Sequence, residues 1–240
     1  MTPSRPEAAH AGRVRCVFVT GTDTGVGKTL ISAALLHALA RHHRAVVGMK
    51  PVAAGLVRDG EAWISSDVRA LRAASTLAVP PELDNPVALP DPLSPHLAAA
   101  RAGRRIAVAE LLAAQRALAA RCDFVVVEGA GGWRVPINDS ETLADLARAI
   151  GAPVLLVVGL RLGCINHALL SAEAIRADGL TLAGWVANQM DSEMNALPEN
   201  IDTLQRRLAA PLLGFCPWHA DAPDGPDASR IAIELPQAWR

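Results

Sequence analysis

The stretch CVFVTGTDTGVGKT, residues 16 to 29, decides the fold that we expect for this chain. A short apolar run leads into a glycine-rich loop, and an Ala/Leu-rich helical pattern follows at residues 30–42. Glycines allow backbone N–H groups to turn inward around an anion, and the N-terminus of the helix adds the positive end of its dipole. Strand, loop and helix therefore stand in the order that a phosphate-binding loop requires.

The loop ends in Gly27, Lys28 and Thr29, where such loops bring a lysine to the β- and γ-phosphates and a hydroxyl to Mg²⁺. The usual pattern has four residues between its glycines, whereas five separate Gly21 from Gly27. Either Thr22 takes the place of the first glycine or the loop is one residue larger. A glycine-rich turn that only connects strand to helix is the plainer alternative. With GKT in this context, the sequence predicts binding of a nucleoside triphosphate.

Short β-branched runs alternate with helical patterns along the rest of the chain. The strand candidates are residues 16–20, 45–49, 123–129, 153–159 and 181–189. The helix candidates are residues 30–42, 108–122, 142–151, 166–179 and 201–210. Apolar strands separated by amphipathic helices indicate a sheet covered on both faces. We expect an α/β fold with a single, doubly wound, mainly parallel sheet of the phosphate-loop NTPase kind.

Length and composition favour one large domain. The chain has 240 residues, of which 51% are hydrophobic, enough for a substantial core. We expect residues 1–14 to be a flexible leader without the apolar segment of a signal peptide, and residues 15–240 to form a single domain. Residues 80–95 contain six prolines and are predicted to be a rigid loop. The piece IAIEL, residues 231–235, is predicted to dock as an edge strand.

The net charge and the spacing of the cysteines exclude several classes of function. The net charge is −1 and no basic run is present, so nothing indicates a nucleic-acid or membrane surface. No apolar run is long enough to cross a bilayer. The four cysteines are far apart and form no CxxC pair, which fits reduced thiols in a cytoplasmic enzyme. Composition does not exclude small-molecule or acidic ligands.

Two acidic residues are candidate Mg²⁺ ligands. Glu128 ends the apolar run DFVVVE and precedes glycines, and acids at such strand ends face the ligand crevice of open α/β sheets. The alternative is an acid that caps an exposed strand end. Asp67, in SSDVRAL, is either a second ligand or the N-cap of the helix that it opens, and the residues alone favour the cap.

Lysine is rare in this chain, because Lys28 and Lys50 are the two lysines among 23 Lys and Arg residues. Lysine meets a phosphate as a compact point charge, unlike the planar fork of arginine. Lys50 closes the second predicted strand, at the same sheet edge as Lys28 and Glu128. A second ammonium there would stabilise charge on a transferred phosphoryl group. The alternative is a strand-end lysine that extends to water.

Five motifs taken together resemble those of the dethiobiotin synthetase family. They are VTGTDTGVGKT, GMKPVAAG, VVVEGAGGWRVP, GCINHALL and LAGWVANQ, in order, and the match extends to Trp218. This family carries five residues between the loop glycines. The resemblance implies an enzyme that uses ATP and Mg²⁺ to join CO₂ to 7,8-diaminopelargonic acid and to close a cyclic urea, with release of ADP and phosphate.

The resemblance also implies the chemical steps. An amine forms a carbamate, an oxygen of the carbamate attacks the γ-phosphate, and the neighbouring amine attacks the resulting mixed anhydride. Such chemistry requires positioning and charge neutralisation more than a protein nucleophile. The sequence agrees, because it contains neither GxSxG nor a Cys/His pattern.

Site residues follow from the resemblance by position. Lys50 and Lys28 would be catalytic, and Thr29, Asp67 and Glu128 would bind Mg²⁺. The nucleotide site would consist of Thr24, Gly25, Val26, Gly27, Lys28, Thr29, Leu30, Asp67, Glu128, Gly129, Ala130, Gly131, Asn188, Gln189, Cys216, Pro217 and Trp218. The substrate site would consist of Lys50, Ala54, Gly163, Cys164, Ile165 and Asn166.

In this family, the amides of residues 163–166 hold the substrate carboxylate of the other subunit. The resemblance therefore implies a homodimer with sites at the interface, whereas the residues alone indicate only that Asn166 caps a helix. Ala54 departs from the family at a position that carries a hydroxyl residue, for which Ser94 is a candidate replacement. Gly25 and Gln189 stand where Glu and Asp are common, and these two departures concern nucleotide selectivity.

Two other functions share part of the pattern. An ATP-dependent amide ligase of the cobyrinate type carries an additional glutaminase domain, for which 240 residues leave no room. A regulatory ATPase of the partitioning kind carries an additional lysine near the start of the loop, where this chain has Thr22, Asp23 and Thr24. Such a switch would hydrolyse ATP without the diamine.

Overall fold

The computed structural model describes residues 15–60, 62–218 and 226–240. The predicted leader, residues 1–14, lies outside these ranges. The strands are β1 Cys16–Gly21, β2 Val46–Met49, β3 Val52–Ala54, β4 Val57–Asp59, β5 Ala62–Ile64, β6 Val87–Leu89, β7 Phe124–Glu128, β8 Val154–Leu160, β9 Leu182–Gln189 and β10 Leu212–Cys216. The helices are α1 Lys28–Leu39, α2 Ser66–Ala74, α3 Pro81–Asp84, α4 Pro95–Arg101, α5 Val108–Ala119, α6 Leu143–Ile150, α7 Cys164–Ala177 and α8 Leu197–Arg207.

Six strands form one sheet in the order β10-β9-β8-β1-β7-β2, and every pairing in it is parallel. The carboxyl ends of these strands therefore meet at one edge of the sheet, with β1 near the centre. Two small ribbons lie outside this sheet: β3 pairs with β6 in parallel, and β4 pairs with β5 antiparallel. The predicted doubly wound parallel sheet is confirmed.

Alternate strand residues enter two separate cores, one on each face of the sheet. In β1, Val17 and Val19 pack with α1, α2 and Trp239, whereas Phe18 packs with the core that contains residues of α5, α6 and α7. Such alternation is what a sheet covered on both faces requires. The strands accordingly read as continuous apolar runs, and all seven residues of β8 are buried.

The five predicted strands and the five predicted helices are present with shifted ends. The largest shift is at α8, which begins at Leu197 and not at residue 201. Strand β10 was not predicted, because LLGFC has no β-branched residue and contains a glycine, both of which weaken a strand signal.

The prediction of a rigid loop at residues 80–95 is wrong. This stretch contains α3 and β6 and leads into α4. Pro81 and Pro95 occupy the first turns of α3 and α4, where the missing N–H costs nothing. The prolines therefore mark the boundaries of short elements.

The prediction of an edge strand at residues 231–235 is also wrong. The segment lies beside β10, where the Glu234 N–H donates to the Leu213 carbonyl at 2.7 Å, but it has no strand pairing. It leads to the buried Trp239, whose ring packs edge-on against Phe124 with 6.3 Å between the ring centroids. The chain end therefore covers one face of the sheet by side-chain packing.

The helices are short compared with a bilayer. The 14 residues of α7 fall below the roughly 20 apolar residues that a membrane span needs. In residues 15–60, 62–218 and 226–240, no helix is long and apolar enough to cross a membrane. All four cysteines are free thiols.

Candidate functional site

A cavity of about 790 Å³ lies beyond the carboxyl ends of β1, β2 and β7. Its polar wall contains Thr24, Lys28, Thr29, Lys50, Asp67 and Glu128. Its apolar wall contains Val52, Ala54, Pro92, Leu93, Pro95 and Val135. A single cavity thus joins the phosphate loop to both strand-end residues predicted from the sequence.

The loop between β1 and α1 depends on two glycines with positive φ. Gly25 has φ 73° and Gly27 has φ 84°, in the left-handed region that favours glycine. A Cβ at Gly27 would lie 2.2 Å from Asn188 Nδ2, whereas a Cβ at Gly25 would meet nothing within 4 Å. Asn188 Nδ2 also donates to the Val26 carbonyl at 2.9 Å. The end of β9 therefore holds the last turn of the loop.

Lys28 is the first residue of α1, and its buried ammonium donates to the Asp23 carbonyl at 3.0 Å. Burial, and then the positive charge of Lys50, lower the pKa of Lys28 to about 8. An ammonium desolvated in this way gains from an anionic ligand. Its position at the cavity wall fits a phosphate group.

Strand register places Lys50 beside Glu128. Met49 pairs with Val127, and the residues that follow them, Lys50 and Glu128, therefore lie next to each other. The Lys50 Nζ lies 2.5 Å from Glu128 Oε1 and 2.7 Å from Asp67 Oδ2. Burial alone lowers the pKa of Lys50, but these two carboxylates outweigh it and raise the pKa above its usual value. Lys50 is therefore a buried cation inside the cavity and not a lysine that extends to water.

Glu128 and Thr29 form the part of the site that fits a divalent cation. The Thr29 hydroxyl donates to Glu128 Oε1 at 2.9 Å. Glu128 is fully buried, and its Oε2 has no hydrogen-bond partner among the residues that the structure describes. Buried carboxylate oxygens are costly without a partner and are hard ligands of the kind that Mg²⁺ prefers. The described residues contain no group of three or more His, Cys, Asp or Glu that could hold a metal, so a cation here would take further ligands from a bound molecule or water.

Asp67 does not cap its helix, and the preference for a cap is wrong. Helix α2 begins at Ser66 with Ser65 at the N-cap, so Asp67 lies in the first turn. The Asp67 carboxylate is turned toward Lys50. Burial raises the pKa of Asp67, but the Lys50 ammonium outweighs it and lowers the pKa below its usual value. Asp67 thus belongs to the polar wall of the cavity.

Ala130 and Gly131, which follow β7, also line the cavity. Five further predicted nucleotide residues lie at the end of β9 or at and just after the end of β10, namely Asn188, Gln189, Cys216, Pro217 and Trp218. Gln189 Oε1 accepts from the backbone N–H of Trp218 at 3.2 Å, and its Nε2 donates to the Asp191 carbonyl at 2.9 Å. Cys216 is buried at the end of β10, and the Trp218 ring is 44% exposed. The structure therefore brings Asn188 into contact with the phosphate loop, whereas Gln189 and Trp218 contact each other, and none of the three lines the cavity.

The predicted substrate residues separate into two groups. Lys50 and Ala54 line the cavity, and so does Ser94. Gly163, Cys164, Ile165 and Asn166 do not; they form the start of α7, with Gly163 at the N-cap and Asn166 in the first turn, so the expected Asn166 cap is wrong. The apolar wall was not predicted, because residues such as Val52 and Leu93 look like ordinary core residues in a sequence.

The fold and the site define a class. Known structures of this shape include a ParA family ATPase from Chlorobium tepidum TLS, with a TM-score of 0.53 and 14% identity over 86% of both chains. The signal recognition particle receptor FtsY from Elizabethkingia anophelis has a TM-score of 0.56 and 15% identity over 98% of this chain and 64% of that one. At such identities the likeness concerns the fold alone. The chain is thus a phosphate-loop NTPase-like α/β protein.

Sequence comparison gives the family. A family model described as an AAA domain matches residues 15–224. The ATP-dependent dethiobiotin synthetase of Aromatoleum aromaticum is 51% identical over 92% of this chain and 96% of the relative. That of Pseudomonas paraeruginosa is 52% identical over 91% and 95%. The chain belongs to the dethiobiotin synthetase family, a family of ATP-dependent ligases.

Proposed function

We propose that this protein forms dethiobiotin from 7,8-diaminopelargonic acid, CO₂ and ATP, with release of ADP and phosphate. One amine adds to the carbon of CO₂ and loses a proton to give a carbamate. A carbamate oxygen attacks the γ-phosphorus and ADP leaves. The second amine then attacks the carbonyl carbon of the carbamic–phosphoric anhydride, phosphate leaves, and the attacking nitrogen loses a proton to close the ring.

The observation that carries this proposal is that two buried ammonium groups, Lys28 and Lys50, line the same cavity. Phosphoryl transfer between two anions requires neutralisation of charge on the transferred group and on the acceptor. Lys28, within the phosphate loop, would bind the β- and γ-phosphates. Lys50, whose positive charge acts on Lys28 within the same cavity, would bind the carbamate and the γ-phosphate as the new bond forms.

Mg²⁺ would be held by Thr29, Asp67 and Glu128, of which Glu128 provides the unpartnered oxygen. When bound, the ion would neutralise charge on the phosphate oxygens. In the structure Lys50 bonds both carboxylates, so the ammonium keeps Asp67 and Glu128 together. This pairing gives the fully buried Glu128 a counter-charge, without which a buried carboxylate would be strongly destabilising.

The base of the nucleotide would lie beside Asn188, Gln189 and the 216–218 backbone. Asn188 supports this assignment because its amide already contacts the loop at Val26. Gln189 would act through Trp218, since its carboxamide oxygen accepts from the Trp218 N–H.

We further propose a homodimer in which the start of α7 binds the carboxylate of a substrate in the other subunit. Two observations support this arrangement. Residues 163–166 do not line the cavity of their own chain. Leu162, just before α7, is 98% exposed and Leu170, within α7, is 56% exposed; exposed large apolar residues in one region favour a protein interface. Within each subunit, residues 15–240 would form one domain.

The decisive experiment supplies the purified protein with the diamine, ¹³C-bicarbonate, Mg²⁺ and ATP, and detects the product by mass spectrometry. We expect dethiobiotin that carries one ¹³C, and ADP release that requires both the diamine and bicarbonate. ADP release without the diamine, and without cyclised product, would instead support a regulatory ATPase and would reject the proposal.

A further inference from the structure

Lys50 lies beyond the last paired residue of β2, which is an edge strand of the main sheet. On one side its neighbour is β7, which ends at Glu128. On the other side, the described residues include no strand of the main sheet that could fix the backbone. Instead, residues 84 and 85, at the end of α3, lie against this side of Lys50.

The backbone of Lys50 is bonded on that side at both of its polar groups. The Lys50 N–H donates to the Asp84 carbonyl at 2.8 Å. The Lys50 carbonyl accepts from Asn85 Nδ2 at 2.7 Å, and the same amide donates to the Val87 carbonyl at 3.2 Å. The pairing of β3 with β6 begins two residues further on, at Val52 and Val87. Residues 84 and 85 therefore fix the position of the Lys50 backbone just after the end of β2.

The Asp84 side chain is itself fixed to α2. Both carboxylate oxygens are bonded to the guanidinium of Arg72, at 2.6 Å from Nε and 2.7 Å from Nη2. The Asp84 side chain is only 4% exposed, and this bidentate contact pairs it with the guanidinium of Arg72. Arg72 and Asp67 belong to the same helix, and Asp67 bonds the Lys50 ammonium. Helix α2 thus holds Lys50 directly at Nζ and indirectly at the backbone.

We propose that Arg72, Asp84 and Asn85 form a positioning bracket for Lys50, which sets the location of its ammonium in the cavity relative to Lys28 and Glu128. The inference rests on the proposed function, because it assigns these residues to the reaction through Lys50. None of the three lines the cavity. They are positioning residues and not catalytic ones. Lysine has a long flexible stem, so fixing its backbone limits the positions that its ammonium can reach in the cavity.

A kinetic test uses Arg72→Lys, which keeps the charge but cannot form the bidentate contact. We expect kcat to fall about 10- to 100-fold, while the Kd for ATP stays within about twofold because the phosphate loop is untouched. In a Lys50→Gln background, Arg72→Lys should cause no further loss, because the bracket acts only through Lys50. An equal loss in both backgrounds, or an unchanged kcat, would overturn the proposal.

Arg176→Lys is the matched control. Arg176 donates to the Leu208 carbonyl and holds the end of α8, away from the cavity. This change tests whether loss of a structural guanidinium lowers activity in general. Its kcat should remain close to that of the unchanged protein. If both variants lose kcat equally, Arg72 has only a structural role.

A second measurement needs no activity and uses the presence of only two lysines in the sequence. Protein labelled with [¹⁵N]lysine gives two backbone lysine amide signals, from Lys28 and Lys50. In Asp84→Asn, the Lys50 amide signal should shift and its hydrogen exchange should accelerate about tenfold or more, while the Lys28 signal keeps its position. An unchanged Lys50 signal would overturn the bracket whether or not dethiobiotin is formed. Absence of dethiobiotin from the unchanged protein would reject only the proposed function.

Discussion

The two lysines differ in what surrounds their ammonium groups. Lys28 donates to a loop carbonyl and has a lowered pKa, whereas Lys50 is bonded to two carboxylates and has a raised pKa. Lys28 therefore has the more to gain from an incoming anion. Lys50 must give up a contact with Asp67 or Glu128 before its ammonium can bind an anion. We therefore expect Lys50 to affect turnover more than the initial binding of ATP.

We expect Lys28→Gln and Lys50→Gln to separate binding from turnover. Lys28→Gln should raise the Kd for ATP about tenfold or more and lower kcat, because it removes a charged hydrogen bond to the phosphates. Lys50→Gln should lower kcat about 100-fold or more with little change in that Kd. Calorimetric titration with ATP and steady-state kinetics measure the two quantities. Full turnover in Lys50→Gln would contradict its assigned role.

Glu128→Gln should raise the Mg²⁺ concentration needed for half-maximal activity by about tenfold or more. The variant keeps the shape of the side chain but removes the negative charge of the carboxylate, whose Oε2 is the proposed metal ligand. Titration of activity with Mg²⁺ and direct binding of Mn²⁺ both measure the effect. Glu110→Gln, which changes an exposed acid on α5, is the control. An unchanged metal requirement in Glu128→Gln would place the ligand elsewhere.

At the scale of elements, the loop after β1 is held from a neighbouring strand. Asn188, at the end of β9, bonds the Val26 carbonyl and occupies the space beside Gly27. The same residue is thus placed to hold the loop and to approach a bound base. In the proposed nucleotide site, the phosphate and base regions would be coupled through this one side chain.

Gly27→Ala and Gly25→Ala form a matched pair that tests this contact. Both place a Cβ at positive φ, which costs roughly 1–2 kcal/mol of folding stability. Only Gly27→Ala also drives a Cβ against Asn188, at 2.2 Å. We expect the larger loss of unfolding free energy in urea, and the larger rise of the Kd for ATP, in Gly27→Ala. Equal losses in the two variants would show that the contact is unimportant.

At the scale of the whole molecule, the end of the chain completes one of the two cores. Trp239 is 2% exposed, packs on Phe124, and its carbonyl lies 2.8 Å from His43 Nε2. Trp239→Ala should lower the free energy of unfolding by about 3–5 kcal/mol, because it removes a large buried ring. Trp63→Ala, at a ring that is 63% exposed, should change it by no more than about 0.5 kcal/mol. Urea denaturation compares the two, and a small loss in Trp239→Ala would contradict the packing.

The proposed homodimer predicts that two inactive variants restore each other. Lys50→Gln disables the cavity, and Ile165→Pro removes one amide from the first turn of α7, a position that tolerates proline. A mixed dimer contains one intact site, assembled from the cavity of one chain and the α7 of the other. Co-expression at equal levels should recover about one quarter of the unchanged activity. No recovery in mixed dimers isolated with two affinity tags would contradict shared sites.

The elements that could be predicted are those with a strong local signal. Strands β1, β7 and β8 are continuous apolar runs, and the loop glycines with Lys28 and Thr29 form a contiguous motif. Strand β10 and the elements within 80–95 have weak or misleading local signals, because glycine and proline are depleted in ordinary strands and helices. Their structure depends on neighbours that lie far away in sequence.

The sequence by itself determined the parallel α/β fold, the phosphate loop, and the two strand-end residues Lys50 and Glu128, since each follows from local periodicity or from contiguous residues. Only the tertiary structure decided that Asp67 pairs with Lys50, that Asn188 holds the loop, and that Arg72, Asp84 and Asn85 surround the backbone of Lys50. These contacts join residues from separate elements, and their distances depend on strand register and helix packing, which no local pattern contains.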